Sequence, residues 1–294
     1  MASTATTLEP AGTKRRRGGV WGILSAPLFL LLVFFVIPMA IMVQMSFLKF
    51  PPNTSSGYTL THFTDVLTDP VNLHIAGTTL FIATVAQLVM LAIGIPLAYF
   101  MVFKAGKWEL PLLLALVLAD ELNPIVKIYA WETFLGTNGL VNKFLVWSGL
   151  VSHPVSWLLF SRFAVIVVLS ASYITYTTIP IYAAMKAMDP AMFEAAVDLG
   201  AGWWTKARRI LIPLAAPGIF VAMILVYIPM FTDFATAGLI GGTRAYMLGN
   251  RVTDLILEGA DWGNGSALNF VLLVVAVVFS FVAYKLAKLN RIES

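Results

Sequence analysis

Five long stretches without a charged residue constrain the fold more than any other feature of this 294-residue chain. They are Gly18–Leu48, Val71–Phe103, Phe163–Met185, Ile210–Thr232 and Trp262–Tyr284. Each is long enough to cross the hydrocarbon core of a bilayer as a helix, which takes about 20 apolar residues. Only 12% of all residues are charged, about half the fraction in soluble domains. We therefore predict an all-α integral membrane protein.

A sixth candidate span runs from Leu110 to about Trp131 and is less uniform. It is apolar as far as Ala119, after which it contains two acids and a lysine. The distribution of Lys and Arg supports it, because six spans place thirteen of the nineteen basic residues on one side of the membrane. Basic residues concentrate in cytoplasmic flanks, so we predict six transmembrane helices with both termini cytoplasmic.

The same patterns divide the chain into segments. Residues 1–19 are polar and basic and read as a disordered cytoplasmic tail. Residues 20–70 hold a first transmembrane helix and an external segment. Residues 71–285 form the main transmembrane domain, and residues 286–294 form a second cytoplasmic tail. The first span is too long to be the apolar core of a cleaved signal peptide, so we expect it to remain as an anchor.

The sequence lacks the residues that several kinds of catalytic and binding site require. The chain has no cysteine, and its three histidines are far apart in sequence, so neither thiolate chemistry nor a metal site is expected. The sequence has no G-x-x-x-x-G-K-[ST] loop for ATP. We predict that the chain is not an enzyme and binds no cofactor itself, and nothing in it suggests contact with nucleic acid.

The segment between the fourth and fifth spans, residues 189–213, carries the most specific pattern. Asp189 is a good N-cap and Pro190 suits the first position of a helix, while Gly200 is a natural C-terminal stop. A second short amphipathic helix is expected from Trp203, ending at Pro213. Such a helical elbow on the cytoplasmic side is suited to docking in a groove of another protein.

The elbow resembles a motif of the permeases of binding-protein-dependent ABC importers. Those permeases carry E-A-A-x-x-x-G, then nine residues, then I-x-L-P on the cytoplasmic side; this chain has Ile212 in place of the leucine. The residues that the resemblance assigns to coupling with the ATPase are Glu194, Ala195, Ala196, Asp198, Gly200, Ile210 and Pro213.

The resemblance implies a fold and a set of partners. It implies the type I ABC importer permease fold in the inner membrane of a bacterium, with this chain forming half of the substrate pathway. The implied partners are an ATPase dimer, which binds ATP and Mg²⁺, a second and usually different permease, an external substrate-binding protein and membrane lipid.

Shorter motifs resemble the spermidine/putrescine-type permeases within that class. They are Tyr129–Trp131, Asn138–Asn142, Asp233–Phe234, Leu239–Gly242 and Asp261–Trp262. The sequence departs from the subgroup at Ala119–Glu121, where those permeases have P-F-W. The resemblance implies a polyamine substrate, and another solute of the same importer class, such as an amino-acid derivative, an opine or a sugar-like compound, remains an alternative.

Acidic and aromatic residues near the spans are candidates for the substrate pathway. Acids inside a span are costly and face a cavity or a partner, so Asp120 and Glu121 either line a cation pathway or pair with Lys127 or another helix. Aromatic rings either flank a cation or serve as packing and interface anchors. The candidates are Asp120, Glu121, Lys127, Trp131, Tyr173, Tyr176, Tyr227 and Asp233.

Two other functions are compatible with a polytopic membrane protein. A secondary transporter or channel that works without ATP would show inverted repeats, and we see none. A membrane scaffold is the other. Neither explains the elbow, and co-purification of an ATPase subunit in mild detergent separates both from an importer.

Overall fold

The protein is nearly all helical in a computed structural model that describes residues 18–188 and 202–292. Within those residues, strand pairing is limited to one antiparallel bridge between Leu48 and Tyr58. The α-helices are α1 (Gly18–Leu31), α2 (Ile37–Phe47), α3 (Thr61–Thr68), α4 (Pro70–Phe103), α5 (Glu109–Asp120), α6 (Pro124–Leu135), α7 (Leu140–Trp147), α8 (Arg162–Lys186), α9 (Trp203–Lys206), α10 (Ile212–Thr232), α11 (Leu248–Thr253) and α12 (Trp262–Ile292). Short π or 3₁₀ turns fill several of the connections.

Five helical segments are long and apolar enough to cross a membrane, and they coincide with the five charge-free stretches. They are Leu24–Phe47, Pro70–Phe103, Arg162–Lys186, Trp204–Thr232 and Trp262–Lys285. The prediction of an all-α membrane protein is therefore confirmed. The last helix extends to Ile292, so most of the predicted C-terminal tail continues α12.

Two of these segments contain a π turn directly before a proline. Leu32–Val36 joins α1 to α2 ahead of Pro38, and Ala207–Leu211 joins α9 to α10 ahead of Pro213. A proline ring clashes with the carbonyl four residues earlier, and the wider π turn relieves that clash. The prediction that a short helix ends at Pro213 is therefore wrong, because α9 continues through the π turn into α10.

Helices α4, α8 and α10 form the centre of the bundle. Their core residues include Ile82, Met90, Leu169 and Val226, each with 0% of its surface exposed. Helix α12 packs against α2 and α10 at the side of this centre. Close approach of the helices depends on small residues, and Gly218 of α10 lies directly against the backbone of α8.

The sixth candidate span, which the sequence predicts as one helix, is two helices separated by a break. Helices α5 and α6 each have 12 residues, and residues 121–123 between them are not helical. The Asn123 side chain caps α6 by accepting a hydrogen bond from the Ile125 amide at 2.9 Å, and Pro124 occupies the first position. Each helix is about 18 Å long, too short to cross the bilayer alone.

Together, α5 and α6 follow α8 along its length. At the start of α5, Glu109 is 2.6 Å from Lys186 at the C-terminal end of α8. Further along, Thr175 of α8 donates to the Leu116 carbonyl at 3.1 Å. Beyond the break, α6 packs against the first turns of α8 in a buried cluster that includes Ile128, Leu135, Ala164 and Val168. The broken pair therefore runs antiparallel to a helix that is long enough to span the membrane.

Candidate functional site

A cavity of about 400 Å³ lies where the break between α5 and α6 meets α8 and the C-terminal end of α10. Broken helices at membrane depth are tolerated where they line such a cavity, because water or a solute can satisfy the freed backbone groups. Its charged and aromatic lining residues are Asp120, Lys127, Tyr173, Tyr176, Asp233 and Phe234.

Asp120 and Lys127 form an ion pair across the break. The Lys127 Nζ atom lies 3.3 Å from Asp120 Oδ1 and 3.2 Å from the Asp120 carbonyl oxygen. Their side chains are only 16% and 17% exposed. The pairing alternative for Asp120 is thus observed, and the paired side chains also line the cavity.

Two tyrosines of α8 stand beside this ion pair. The ring centroids of Tyr173 and Tyr176 are 6.2 Å apart with an interplanar angle of 51°. The Tyr176 hydroxyl lies beside the Asp120 carboxylate. Aromatic ring faces next to a carboxylate attract organic cations.

Asp233 contributes the second carboxylate of the cavity. It follows α10 and caps the next turn, because its side chain accepts hydrogen bonds from the Thr236 amide at 2.8 Å and from the Thr236 hydroxyl at 3.0 Å. Burial raises the pKa of Asp233 above its ordinary value, and the two hydrogen bonds from Thr236 oppose that rise. A cation in the cavity would favour the ionised form.

Three of the candidate residues lie away from this cavity. Glu121 is exposed in the break itself. Trp131 packs on the buried cluster between α6 and α8 and contacts Phe134 edge to face, with centroids 5.6 Å apart.

Tyr227 is the third of them. Its hydroxyl is 2.7 Å from the Thr84 hydroxyl, and its ring stacks on Phe279 at 4.7 Å. It lines a different, mainly apolar cavity of about 410 Å³ between α2, α10 and α12. The sequence offered no signal for which face of α10 its ring would occupy.

The described residues hold only part of the predicted coupling elbow. Ile210 lies in the π turn before α10, and Pro213 lies in the first turn of α10. The remaining coupling candidates, Glu194, Ala195, Ala196, Asp198 and Gly200, lie outside the described residues.

A polar cluster next to the elbow was missed by the sequence analysis. The Glu109 carboxylate accepts hydrogen bonds from Lys186 at 2.6 and 2.9 Å and from the Tyr182 hydroxyl at 2.5 Å. This cluster ties the start of α5 to the end of α8, three residues before the elbow begins. The sequence did contain a signal for this cluster. Glu109 is at the start of one span and Lys186 is at the end of another, and the distribution of basic residues places both on the same side of the membrane.

No metal centre accompanies these groups in the described ranges. Among residues 18–188 and 202–292, no three His, Asp or Glu side chains converge closely enough to hold a metal ion.

Solved structures with the same fold are permeases of ABC importers. One is a bacterial ABC transporter that imports the acidic polysaccharide alginate, with a TM-score of 0.71 and 23% identity over 93% of this chain and 96% of that chain. Another is the MetNI methionine ABC transporter, with a TM-score of 0.55 and 18% identity over 74% of this chain and 95% of that chain. The chain thus shares its fold with chains of these ABC transporters.

Sequence relatives identify the family within that class, although no protein-family model matches the chain. The spermidine/putrescine transport system permease protein PotB of Haemophilus influenzae is 32% identical over 270 residues, which cover 90% of this chain and 94% of that protein. PotB of Escherichia coli is 32% identical over 232 residues, which cover 79% of this chain and 84% of that protein. The chain belongs to the PotB family of ABC importer permeases, and it is a transport subunit and not an enzyme.

Proposed function

We propose that this chain is one of the two permease subunits of an ATP-driven, binding-protein-dependent polyamine importer in the bacterial inner membrane. The observation that carries the proposal is the acidic and aromatic cavity between α5, α6, α8 and α10, found in a chain that is 32% identical to PotB. The cavity is the part of the pathway that this subunit contributes.

The chemistry of the cavity suits an organic cation. Two carboxylates, Asp120 and Asp233, face a space that also holds two tyrosine rings and one lysine. A polyamine loses the hydration of its ammonium groups on entering such a space, and carboxylates and ring faces compensate for that loss. A neutral sugar would gain little from two carboxylates, which is why the cavity favours a polyamine.

The topology that we propose has six spans and cytoplasmic termini. It counts α5 and α6 together as the third span, because the pair follows α8 from Lys186 to Ala164. Residues 189–213 then lie on the cytoplasmic side, where thirteen basic residues gather.

The elbow at residues 189–213 is proposed to couple this subunit to an ATPase dimer that binds ATP and Mg²⁺. Helix α8 ends at Lys186, just before the elbow, and α10 begins at Ile212, at the end of the elbow. Both helices also line the cavity, so a movement of the elbow is transmitted to the cavity wall. The other proposed partners are a second permease and an external binding protein. The alginate transporter has been solved in complex with its periplasmic protein, which supports that arrangement.

Substitution of the two cavity acids tests the proposed pathway. We expect Asp120→Asn and Asp233→Asn each to lower polyamine uptake into proteoliposomes on the order of tenfold, as loss of one charge-assisted contact implies. The matched control is Asp65→Asn, which neutralises an exposed acid of α3. Uptake that is unchanged in both cavity variants would exclude this cavity as the pathway.

Labelling of single cysteines tests the proposed topology, since the chain has no native cysteine. We expect an impermeant maleimide to label Ser148→Cys in whole spheroplasts, because Ser148 is exposed in the loop after α7. Lys107→Cys, at an exposed position between α4 and α5, should react only after permeabilisation, because α5 and α6 separate it from Ser148 as the third span. Labelling of both positions from the same side would rule out six spans.

A further inference from the structure

The ion pair of Asp120 and Lys127 lines two cavities. Besides the acidic cavity, both residues line a second cavity of about 270 Å³ between α4, α5 and α8. The other residues of this second cavity are almost all apolar, including Leu97, Leu112 and Ile174. The ion pair is thus the feature that the two spaces have in common, and it stands between them.

We propose that this ion pair is the closed gate of the pathway, in which the Lys127 ammonium holds the place on Asp120 that an ammonium group of the substrate takes during passage. The inference rests on the proposed function for the cavity as part of the pathway and for the cargo as an organic cation. Lys127 is on this account a specificity-determining residue.

The contacts of Lys127 are those that a primary ammonium of a substrate would make. Its Nζ atom contacts two acceptors of Asp120, the carbonyl oxygen that the helix break leaves free and one carboxylate oxygen. A polyamine carries the same chemical group without the tether. Both distances, 3.2 and 3.3 Å, are longer than those of a tight charged pair.

The cost of an unpaired charge explains why such a gate stays closed. Asp120 is mostly buried, and a carboxylate that loses its cation inside a membrane protein is strongly destabilised. Asp120 is therefore always paired with a cation, either the Lys127 ammonium group or an ammonium group of the substrate. Lys127 leaves only when a replacement arrives, so small ions and neutral solutes do not open the path.

A purely structural role is the competing explanation, because the pair also connects α5 to α6. The two roles differ in what Lys127→Met does. If the ion pair is only a structural link, its loss lowers thermal stability and causes no leak of ammonium ions. Loss of the gate leaves Asp120 without its tethered cation, so that free ammonium ions cross without ATP.

The test uses the whole transporter, with the ATPase, the second permease and the binding protein, in proteoliposomes. We expect Lys127→Met to raise ATP-independent efflux of methylammonium and of putrescine on the order of tenfold over wild type, and Lys127→Arg to stay close to wild type. The control is Lys143→Met, which removes an exposed lysine of α7. The double variant Asp120→Asn/Lys127→Met should lose the leak, because position 120 no longer carries a carboxylate to receive the cation.

The outcomes separate the gate from the cargo. A methylammonium leak in Lys127→Met, together with no polyamine import by wild type, would support the gate and refute the polyamine assignment. Absence of any leak in Lys127→Met would overturn the gate, whether or not the thermal midpoint falls. A leak of equal size in the double variant would overturn it as well, since the leak would not depend on Asp120. If Lys127→Met fails to assemble, Lys127→Gln replaces it under the same criteria.

Discussion

One methyl group added at Gly218 of α10 should disturb the centre of the bundle. A Cβ atom built there lies 2.5 Å from the Pro180 carbonyl oxygen, 2.6 Å from the Ala184 Cβ atom and 3.1 Å from the Ile181 Cα atom. Two of these three neighbours are backbone atoms of α8, which cannot rotate away as a side chain can. Gly218→Ala therefore requires α8 and α10 to move apart.

The required movement sets the magnitude of the effect. Relief of the overlap takes a separation of about 0.5 to 1 Å, which forfeits a quarter to a half of the contact energy along the interface. Overpacking of this kind costs about 1–3 kcal/mol. Because α8 precedes residues 189–201 and α10 continues the helix that follows them, we also expect polyamine uptake per ATP hydrolysed to fall.

Gly77→Ala provides the matched control. Gly77 lies within α4, and an added Cβ atom there meets nothing within 4 Å. We expect its stability to stay within about 0.5 kcal/mol of wild type. The assay is the thermal midpoint of the purified complex in detergent, measured for wild type and both variants. Equal midpoints for Gly218→Ala and Gly77→Ala would refute the close packing of α8 on α10.

Two further predictions concern ionisable groups at the ends of the spans. Burial raises the pKa of Asp233 above 3.8, so its carboxylate becomes protonated at a higher pH than that of an ordinary aspartate. Polyamine uptake should therefore fall as the external pH drops through that raised pKa. Initial rates across a pH series check this, and Asp233→Asn should lack that step; the same step in the variant would contradict the assignment. Glu109→Gln should leave the thermal midpoint close to wild type, since the pair with Lys186 reaches solvent, but should lower the ratio of uptake to ATP hydrolysis. An unchanged ratio would show that the link between α5 and α8 takes no part in coupling.

Much of the fold could be predicted from the sequence because lipid imposes a simple rule. Backbone groups in the bilayer need internal hydrogen bonds, so a charge-free stretch such as Val71–Phe103 is a helix whatever its neighbours are. The π turns at Leu32–Val36 and Ala207–Leu211 follow no hydropathy signal, and they were not predicted. The break after Asp120 did have a signal, since Asn123 and Pro124 form a helix start inside the expected span.

The candidate site was only partly predictable for a different reason. The acids were noticed because charge is rare in a span, but their partners depend on tertiary structure. Lys127 contacts Asp120 because the chain breaks between them, and Asp233 joins the same cavity because α10 ends beside α8. The tyrosines at 173 and 227 are similar in sequence terms, and only packing separates the one in the cavity from the one outside it.

The central claim is that this chain serves an ATP-driven polyamine importer, and uptake by the complete complex tests it most directly. The complex of this chain with its ATPase, second permease and binding protein would be placed in proteoliposomes and offered radiolabelled putrescine or spermidine. The account predicts saturable uptake that requires both internal ATP and the binding protein. A complex that hydrolyses ATP and imports a different solute while excluding both polyamines would contradict it.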